Sequence, residues 1–312
     1  KASGIERRYV QDKAGILDVN RMRPKLKERP NSEVSILAEM AIRASKQALE
    51  EAGIRSSDID AVICGCSNLQ RAYPAIAIEV QQELNIQGYA YDMNVACSSA
   101  TFSIQNAYND ITSGVASKIL VVNPEICSGH LNFKDRDAHF IFGDACTAVI
   151  LERDSQSNTA FKILGTKLQT KFSNNIRNNF GFLNAPEDSD PHSPDKLFIQ
   201  QGRSVFKEVV PMVQSHIDEH LTGLGITIEE VRRLWLHQAN LSMNQLIAKR
   251  LLGREPEDHE MPIILNDYAN TSSAGSIIAF HQTKDDFSSR DIGVISSFGA
   301  GYSVGSIIVQ KI

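Results

Sequence analysis

The chain has 312 residues, of which 42% are hydrophobic, 22% charged and 7% aromatic, with a net charge of −5. That is ordinary globular composition, with material for one large core or two similar ones. The negative balance gives no general electrostatic case for nucleic acid, no apolar run reaches the roughly 20 residues of a membrane helix, and no signal-peptide pattern opens the chain.

Ile36, Leu37, Met40, Ala41, Ala44, Ala48 and Leu49 keep a helical period, with Ser32 a candidate cap and Gly53 closing the helix. After a short turn, Ala61-Val62-Ile63-Cys64 reads as an apolar strand, and Asn68 follows it. Asp92 to Ala100 reads as a strand end, then Cys97, then the small residues Ser98-Ser99-Ala100 opening a helix. Phe142-Gly143 precedes the apolar run Ala148-Val149-Ile150-Leu151, and a polar run follows at Arg153 to Thr159. A new strand opens at Ala160 to Leu164. A helix then closes at Gly225, and the strand Leu234-Trp235-Leu236 runs directly into His237-Gln238-Ala239-Asn240. Asn270-Thr271-Ser272-Ser273-Ala274 and Phe298-Gly299 complete the series.

These elements come in two copies. Gly53 and Gly225 lie 172 residues apart, and so do Asn68 and Asn240. Ser98-Ser99-Ala100 recurs as Ser272-Ser273-Ala274 at an offset of 174, and Phe142-Gly143 recurs as Phe298-Gly299 at 156. The shorter last offset implies an extra stretch in the first copy, between about residues 105 and 141. Helices alternating with apolar strands in two copies predict an α/β protein with two related halves, 1–155 and 156–312. The strand at Ala160 would have its counterpart before residue 1, where the chain opens with Lys1 instead of Met. The expectation is that the first strand of the first half lies outside this chain.

Three strand-to-helix turns carry reactive side chains: Cys97, His237 and Asn270. A thiol at a helix start meets free N–H groups and the helix dipole, which predicts thiolate character. Taken singly, each has a plain alternative: a small buried hydrophobe, a satisfied structural histidine, a helix cap. At strand ends paired by a duplication they favour catalysis together, because a nucleophilic thiol needs a polarising donor and a proton acceptor. The five cysteines (Cys64, Cys66, Cys97, Cys127, Cys146) are odd in number and sit in apolar stretches. They suit a reduced, cytoplasmic setting better than a disulfide framework, and Cys64-Gly-Cys66 lacks the spacing of a metal knuckle, so no metal is expected.

Ala96-Cys97-Ser98-Ser99, His237-Gln238-Ala239-Asn240, Asn270-Thr271-Ser272-Ser273-Ala274 and Phe298 to Ser306 resemble, in order and spacing, the motifs of beta-ketoacyl-acyl-carrier-protein synthase III. The resemblance runs from Ser3 to the C-terminus. It implies a thiolase-like fold, with duplicated halves in a layered αβαβα arrangement. It also implies decarboxylative Claisen condensation of an acyl-CoA with a malonyl-acyl carrier protein in fatty acid biosynthesis, with no cofactor beyond these thioester substrates. Cys97 would carry the acyl group, with its own N–H and that of Ala300 as oxyanion hole. His237 and Asn270 would polarise the malonyl thioester.

The same resemblance assigns further positions. Tyr73 would reach across a homodimer to close the partner's acyl tunnel. Phe198, Gln200 and Phe206 would line the tunnel and pantetheine channel, with Asn240 and Phe298 also on the substrate path. Arg136 would meet the coenzyme A nucleotide, and Lys207, Lys249 and Arg250 would face the acidic carrier protein. Gln200 is polar where the family pattern is usually apolar, and Ser242 replaces a usual arginine. The competing readings are a related condensing enzyme using another thioester or β-ketoacid, a cysteine thioester hydrolase, and a non-catalytic subunit. Hydroxymethylglutaryl synthases are disfavoured by the lack of a glutamate near Asn68 to Ala72.

Overall fold

The computed structural model describes residues 3–154, 157, 159–190 and 193–312, so the 155/156 boundary lies outside the described residues. Two four-stranded sheets form the frame. The first has the order β2-β1-β3-β4, made of Tyr89–Met93, Ala61–Gly65, Lys118–Glu125 and Ala145–Glu152. The second has the order β5-β10-β9-β8, made of Phe161–Ser173, Gly301–Lys311, Ile292–Gly299 and Val231–Leu236. In each, the strands that feed the turns of interest run parallel, and the antiparallel strand lies beyond them. A two-stranded ribbon, β6 (Ile176–Arg177) and β7 (Ile199–Gln200), stands apart.

Parallel strands must be covered on both faces, which is why β1 and most of β3 are continuously buried. Val62, Cys64, Leu120 and Val122 face helices α2 (Ile36–Ala52) and α3 (Ile76–Glu83). Ala61, Ile63, Ile119 and Val121 face the opposite way, into a cluster with α4 (Ser99–Ser113) and α8 (Gly275–Thr283). That cluster continues into Trp235, Ile295 and Ile307 of the second sheet. The second sheet's far face, with Leu234, Leu236, Val294 and Val304, packs on α5 (Gly202–Gly223) and α6 (Leu241–Leu252). The order of layers is therefore α, β, α, β, α, as the resemblance implies. The middle helices α4 and α8 begin at the Cys97 and Asn270 turns, so the layering itself brings those turns together.

Two local details refine the sequence reading. Ser35, and not Ser32, caps α2: its hydroxyl accepts the Ala38 N–H at 3.2 Å, while its own N–H donates to Glu79 at 2.6 Å. Ser32 lies in the preceding turn, closed by Glu33 N–H to the Pro30 carbonyl. The strand expected at Ala160 to Leu164 extends to Ser173, because β10 supplies an antiparallel partner along its length. Ile16 of a short helix, α1 (Lys13–Leu17), and Met22 of the segment after it pack on the cluster of Phe133, Phe142 and Phe198. Among the described residues no helix is long and apolar enough to cross a membrane.

Candidate active site

Cys97 sits between β2 and α4. The preceding Ala96 is held at φ 47°, a left-handed conformation that costs a non-glycine residue free energy. Ser99 latches this turn from within: its side-chain oxygen accepts the Val95 N–H at 2.9 Å and its hydroxyl donates to the Ala96 carbonyl at 2.7 Å. The second half closes over it. A Cβ on Gly299 would lie 2.7 Å from Cys97 Cβ and 3.1 Å from its sulfur, so the backbone approach there requires glycine. The backbone N–H groups of Cys97 and Ala300 face the sulfur. The Ser272 hydroxyl lies 3.5 Å from it.

Those donors favour the thiolate, yet burial wins and pushes the Cys97 thiol up to about 11, with the buried Glu125 carboxyl adding to the rise. The thiolate character expected from the helix start is therefore corrected. Depth beneath the second half, absent from any local motif, decides the sign.

His237 follows β8 and is 2% exposed. Its N–H donates to the Ser296 carbonyl at 2.7 Å, and its carbonyl accepts from the Asn244 amide at 3.0 Å. The Phe298 ring meets the imidazole edge-on, with centroids 5.3 Å apart. Burial lowers the imidazole pKa to about 4, opposed by the Ser272 carbonyl, so the ring is neutral at pH 7. Among the described residues Nδ1 is buried without a hydrogen-bond partner, a cost that functional sites tolerate.

Asn270 follows the short helix α7 (Leu265–Tyr268) and Ala269, itself at φ 58°. Its N–H donates to the Ile141 carbonyl at 2.9 Å, and its carbonyl accepts the Gly143 N–H at 3.0 Å. A Cβ on Gly143 would lie 2.2 Å from the Tyr268 carbonyl oxygen, so this contact too depends on glycine. Oδ1 accepts the Ser272 N–H at 2.9 Å, which fixes the side chain and leaves the amide NH₂ as its donor. The seam is thus reciprocal. Gly143 of the first half grips the Asn270 turn, and Gly299 of the second grips the Cys97 turn.

Ser272 is the hub that the sequence reading left without a role. It touches the sulfur, faces the His237 ring and fixes Asn270. The available signal was its place in the repeated Ser-Ser-Ala, opposite Ser98.

The remaining candidates lie in a range of settings. Phe198 is buried and packs edge-on against Phe142 at 4.7 Å, and Phe142 bridges to Asn270. Phe206 is half-buried against the second-sheet core. Gln200 is exposed on β7 opposite Ile176, and Arg136 is exposed. Asn240 caps α6, its Oδ1 accepting the Met243 N–H at 3.2 Å, a structural duty beside the one expected. Tyr73 is 83% exposed. Lys207, Lys249 and Arg250 are exposed, and Lys249 is paired with Glu255. Among the described residues no group of three or more histidine, cysteine, aspartate or glutamate side chains could hold a metal.

Comparison with known proteins decides the family. The family model for 3-oxoacyl-acyl-carrier-protein synthase III matches residues 91–171, and the model for its C-terminal region matches residues 221–311. A beta-ketodecanoyl-acyl-carrier-protein synthase from Pseudomonas aeruginosa is 63% identical over 313 aligned residues, covering 100% of this chain and 89% of that protein. The chain belongs to the 3-oxoacyl-acyl-carrier-protein synthase III family. A second relative, the beta-ketoacyl-acyl-carrier-protein synthase III of Ehrlichia ruminantium (strain Welgevonden), is 30% identical across 88% of this chain and 83% of its own. The crystal structure of the family member from Aquifex aeolicus superposes with a TM-score of 0.78 at 26% identity, over 92% of this chain and 87% of that one.

Proposed function

We propose that this chain is a condensing acyltransferase that joins an acyl group to the two-carbon unit of a malonyl-acyl carrier protein in fatty acid biosynthesis. The observation that carries the reading is the convergence on Ser272. One residue contacts the Cys97 sulfur, orients Asn270 and faces His237, while two backbone N–H groups point at the sulfur.

The chemistry follows in two steps. The Cys97 sulfur attacks the carbonyl of an acyl-CoA thioester, the N–H groups of Cys97 and Ala300 stabilise the oxyanion, and coenzyme A leaves carrying the thiol proton. A malonyl thioester then enters beside His237 and Asn270. Its carboxylate departs as carbon dioxide, and the electron pair of the broken C–C bond forms an enolate under those two donors. The enolate carbon attacks the acyl-Cys97 carbonyl, the C–S bond breaks, and the sulfur recovers a proton from solvent. The product is a 3-oxoacyl thioester two carbons longer. A histidine held near pKa 4 is a poor base and a good neutral donor, which supports condensation over thioester hydrolysis.

The name of the Pseudomonas relative points to a ten-carbon oxoacyl product, so the acyl group proposed for this chain has eight carbons. Phe198 and Phe206 are assigned to the apolar lining such a chain needs, with Phe142 packed against Phe198. Arg136 is assigned to the coenzyme A nucleotide, and Lys207 and Arg250 to the carrier protein, with Lys249 weakened by Glu255. A homodimer is proposed through β2, the edge of the first sheet, whose outer side has no strand neighbour among the described residues. Asp92 on β2 accepts the Ile76 and Ala77 N–H groups, which sets the Tyr73 loop beside that edge. A cytoplasmic location completes the proposal, in keeping with five free cysteines.

The test is intact-protein mass spectrometry with acyl-CoAs of increasing length. The expected result is one acyl mass on Cys97, strongest near eight carbons and absent in Cys97→Ala. Labelling that persists in Cys97→Ala would overturn the assignment, and equal labelling at all lengths would overturn the chain length.

A further inference from the structure

Glu125, the last residue of β3, is 0% exposed at the seam between the two sheets. A fully buried carboxyl left without hydrogen-bond donors strongly destabilises a fold. Its Oε1 accepts the Ser67 N–H at 3.0 Å, the Ser273 N–H at 3.3 Å and the Ser273 hydroxyl. Its Oε2 accepts the Ser67 hydroxyl at 2.5 Å, with the Cys66 and Cys127 thiols 3.9 and 3.8 Å away. None of these partners is a cation. The carboxyl therefore ties the turn after β1, in the first half, to the turn after Asn270, in the second.

The Asn270 turn needs such a tie. It carries two non-glycine residues in the left-handed region, Ala269 at φ 58° and Ser272 at φ 50°. Each is strained and persists only where the surroundings over-determine it. Ser99, the repeat equivalent of Ser273, spends its hydroxyl within its own turn. Ser273 spends its hydroxyl on Glu125 instead. The second turn is thus held from outside, one peptide away from the Ser272 N–H that fixes the Asn270 side chain.

We propose that Glu125 is a positioning residue for the condensation step, acting through Ser273 and Ser272 to aim the Asn270 amide. The inference rests on the roles given above to Cys97 and Asn270.

The test separates the half-reactions in the full chain. Octanoyl-CoA charges Cys97, and malonyl carrier protein then discharges it, both followed by intact mass. In Glu125→Gln, charging should stay within about threefold while discharge falls by about thirtyfold or more, as for a misaligned polar donor. Alkylation of Cys97 by iodoacetamide reports separately on the charge of Glu125 and should shift to lower pH where that carboxyl is ionised, while the split between charging and discharge is the readout that a merely structural residue would not give. Ser273→Ala keeps the carboxylate and should slow discharge by about fivefold with the alkylation profile unchanged. Equal losses in both half-reactions, or unchanged discharge in both variants, would overturn the inference. If Glu125→Gln does not fold, Ser273→Ala decides alone by the same criterion. Failure of the unaltered protein to charge Cys97 would sink the functional reading instead.

Discussion

The Cys97 turn and the Asn270 turn carry the same Ser-Ser-Ala at an offset of 174 and are held in different ways. The first has one left-handed residue, Ala96, and a serine that latches it locally. The second has two, Ala269 and Ser272, and its serine reaches Glu125 across the seam. At the repeat offset Cys97 corresponds to Thr271, a buried hydroxyl with no hydrogen-bond partner among the described residues. The difference teaches a division of labour. The nucleophile's turn has a local latch in Ser99 besides its bonds to Ser303 of the second half, whereas the serine of the polarising turn is anchored only across the seam, so condensation is the more fragile step.

The largest effect should come from closing the space over the first turn. Gly299→Ala puts a methyl group 2.7 Å from Cys97 Cβ, and displacement of the reacting atom should cut acylation by about a hundredfold or more. Stability should fall by about 1–3 kcal/mol as well, read as a denaturant midpoint shift beside the acylation rate. Next, Asn270→Ala should lower single-turnover discharge by about a hundredfold while charging stays within a fewfold. Equal losses would erase the division of labour.

Smaller effects follow from titration and strain. His237 becomes protonated only near pH 4, below its ordinary range, so the condensation rate should stay level between about pH 8 and 5 and fall below that. An acid limb near pH 6.5 would mean a solvated imidazole. The Cys97 thiol titrates near 11, so its alkylation rate should rise about tenfold per pH unit through pH 9 without a plateau. Smallest is the relief of strain: Ala269→Gly should stabilise the fold by about 1 kcal/mol, net of the entropy that glycine adds to the unfolded chain. Ala96→Gly should be close to neutral in the same thermal scan, because relief at φ 47° is offset by the entropy that glycine adds to the unfolded chain.

Much of the frame was legible in the sequence, and the reason is locality. Gly53 and Gly225 close helices by their own left-handed backbone, and the small residues after Cys97 and Asn270 mark helix starts. Once the offsets aligned these signals, Cys97 and His237 stood at strand ends, whereas the Asn270 turn, expected to follow a strand, follows the short helix α7. Glu125 was not legible: it ends the apolar run of β3 and reads there as an ordinary charge at a strand end. Only the approach of Ser67 and Ser273 from opposite halves turns it into a hub. The raised Cys97 thiol was hidden for the same reason, because the helix start is local and the burial is not. Ser35 takes the place of Ser32 as the cap of α2, its N–H donating to Glu79, forty-four residues away.

Charging and discharge of Cys97, read on Asn270→Ala beside the unaltered protein, is the most direct measurement. The account predicts that both proteins take one octanoyl group on Cys97, and that only the unaltered protein loses it rapidly to malonyl carrier protein. Discharge of Asn270→Ala at the unaltered rate, or an acyl group carried on any residue but Cys97, would contradict it.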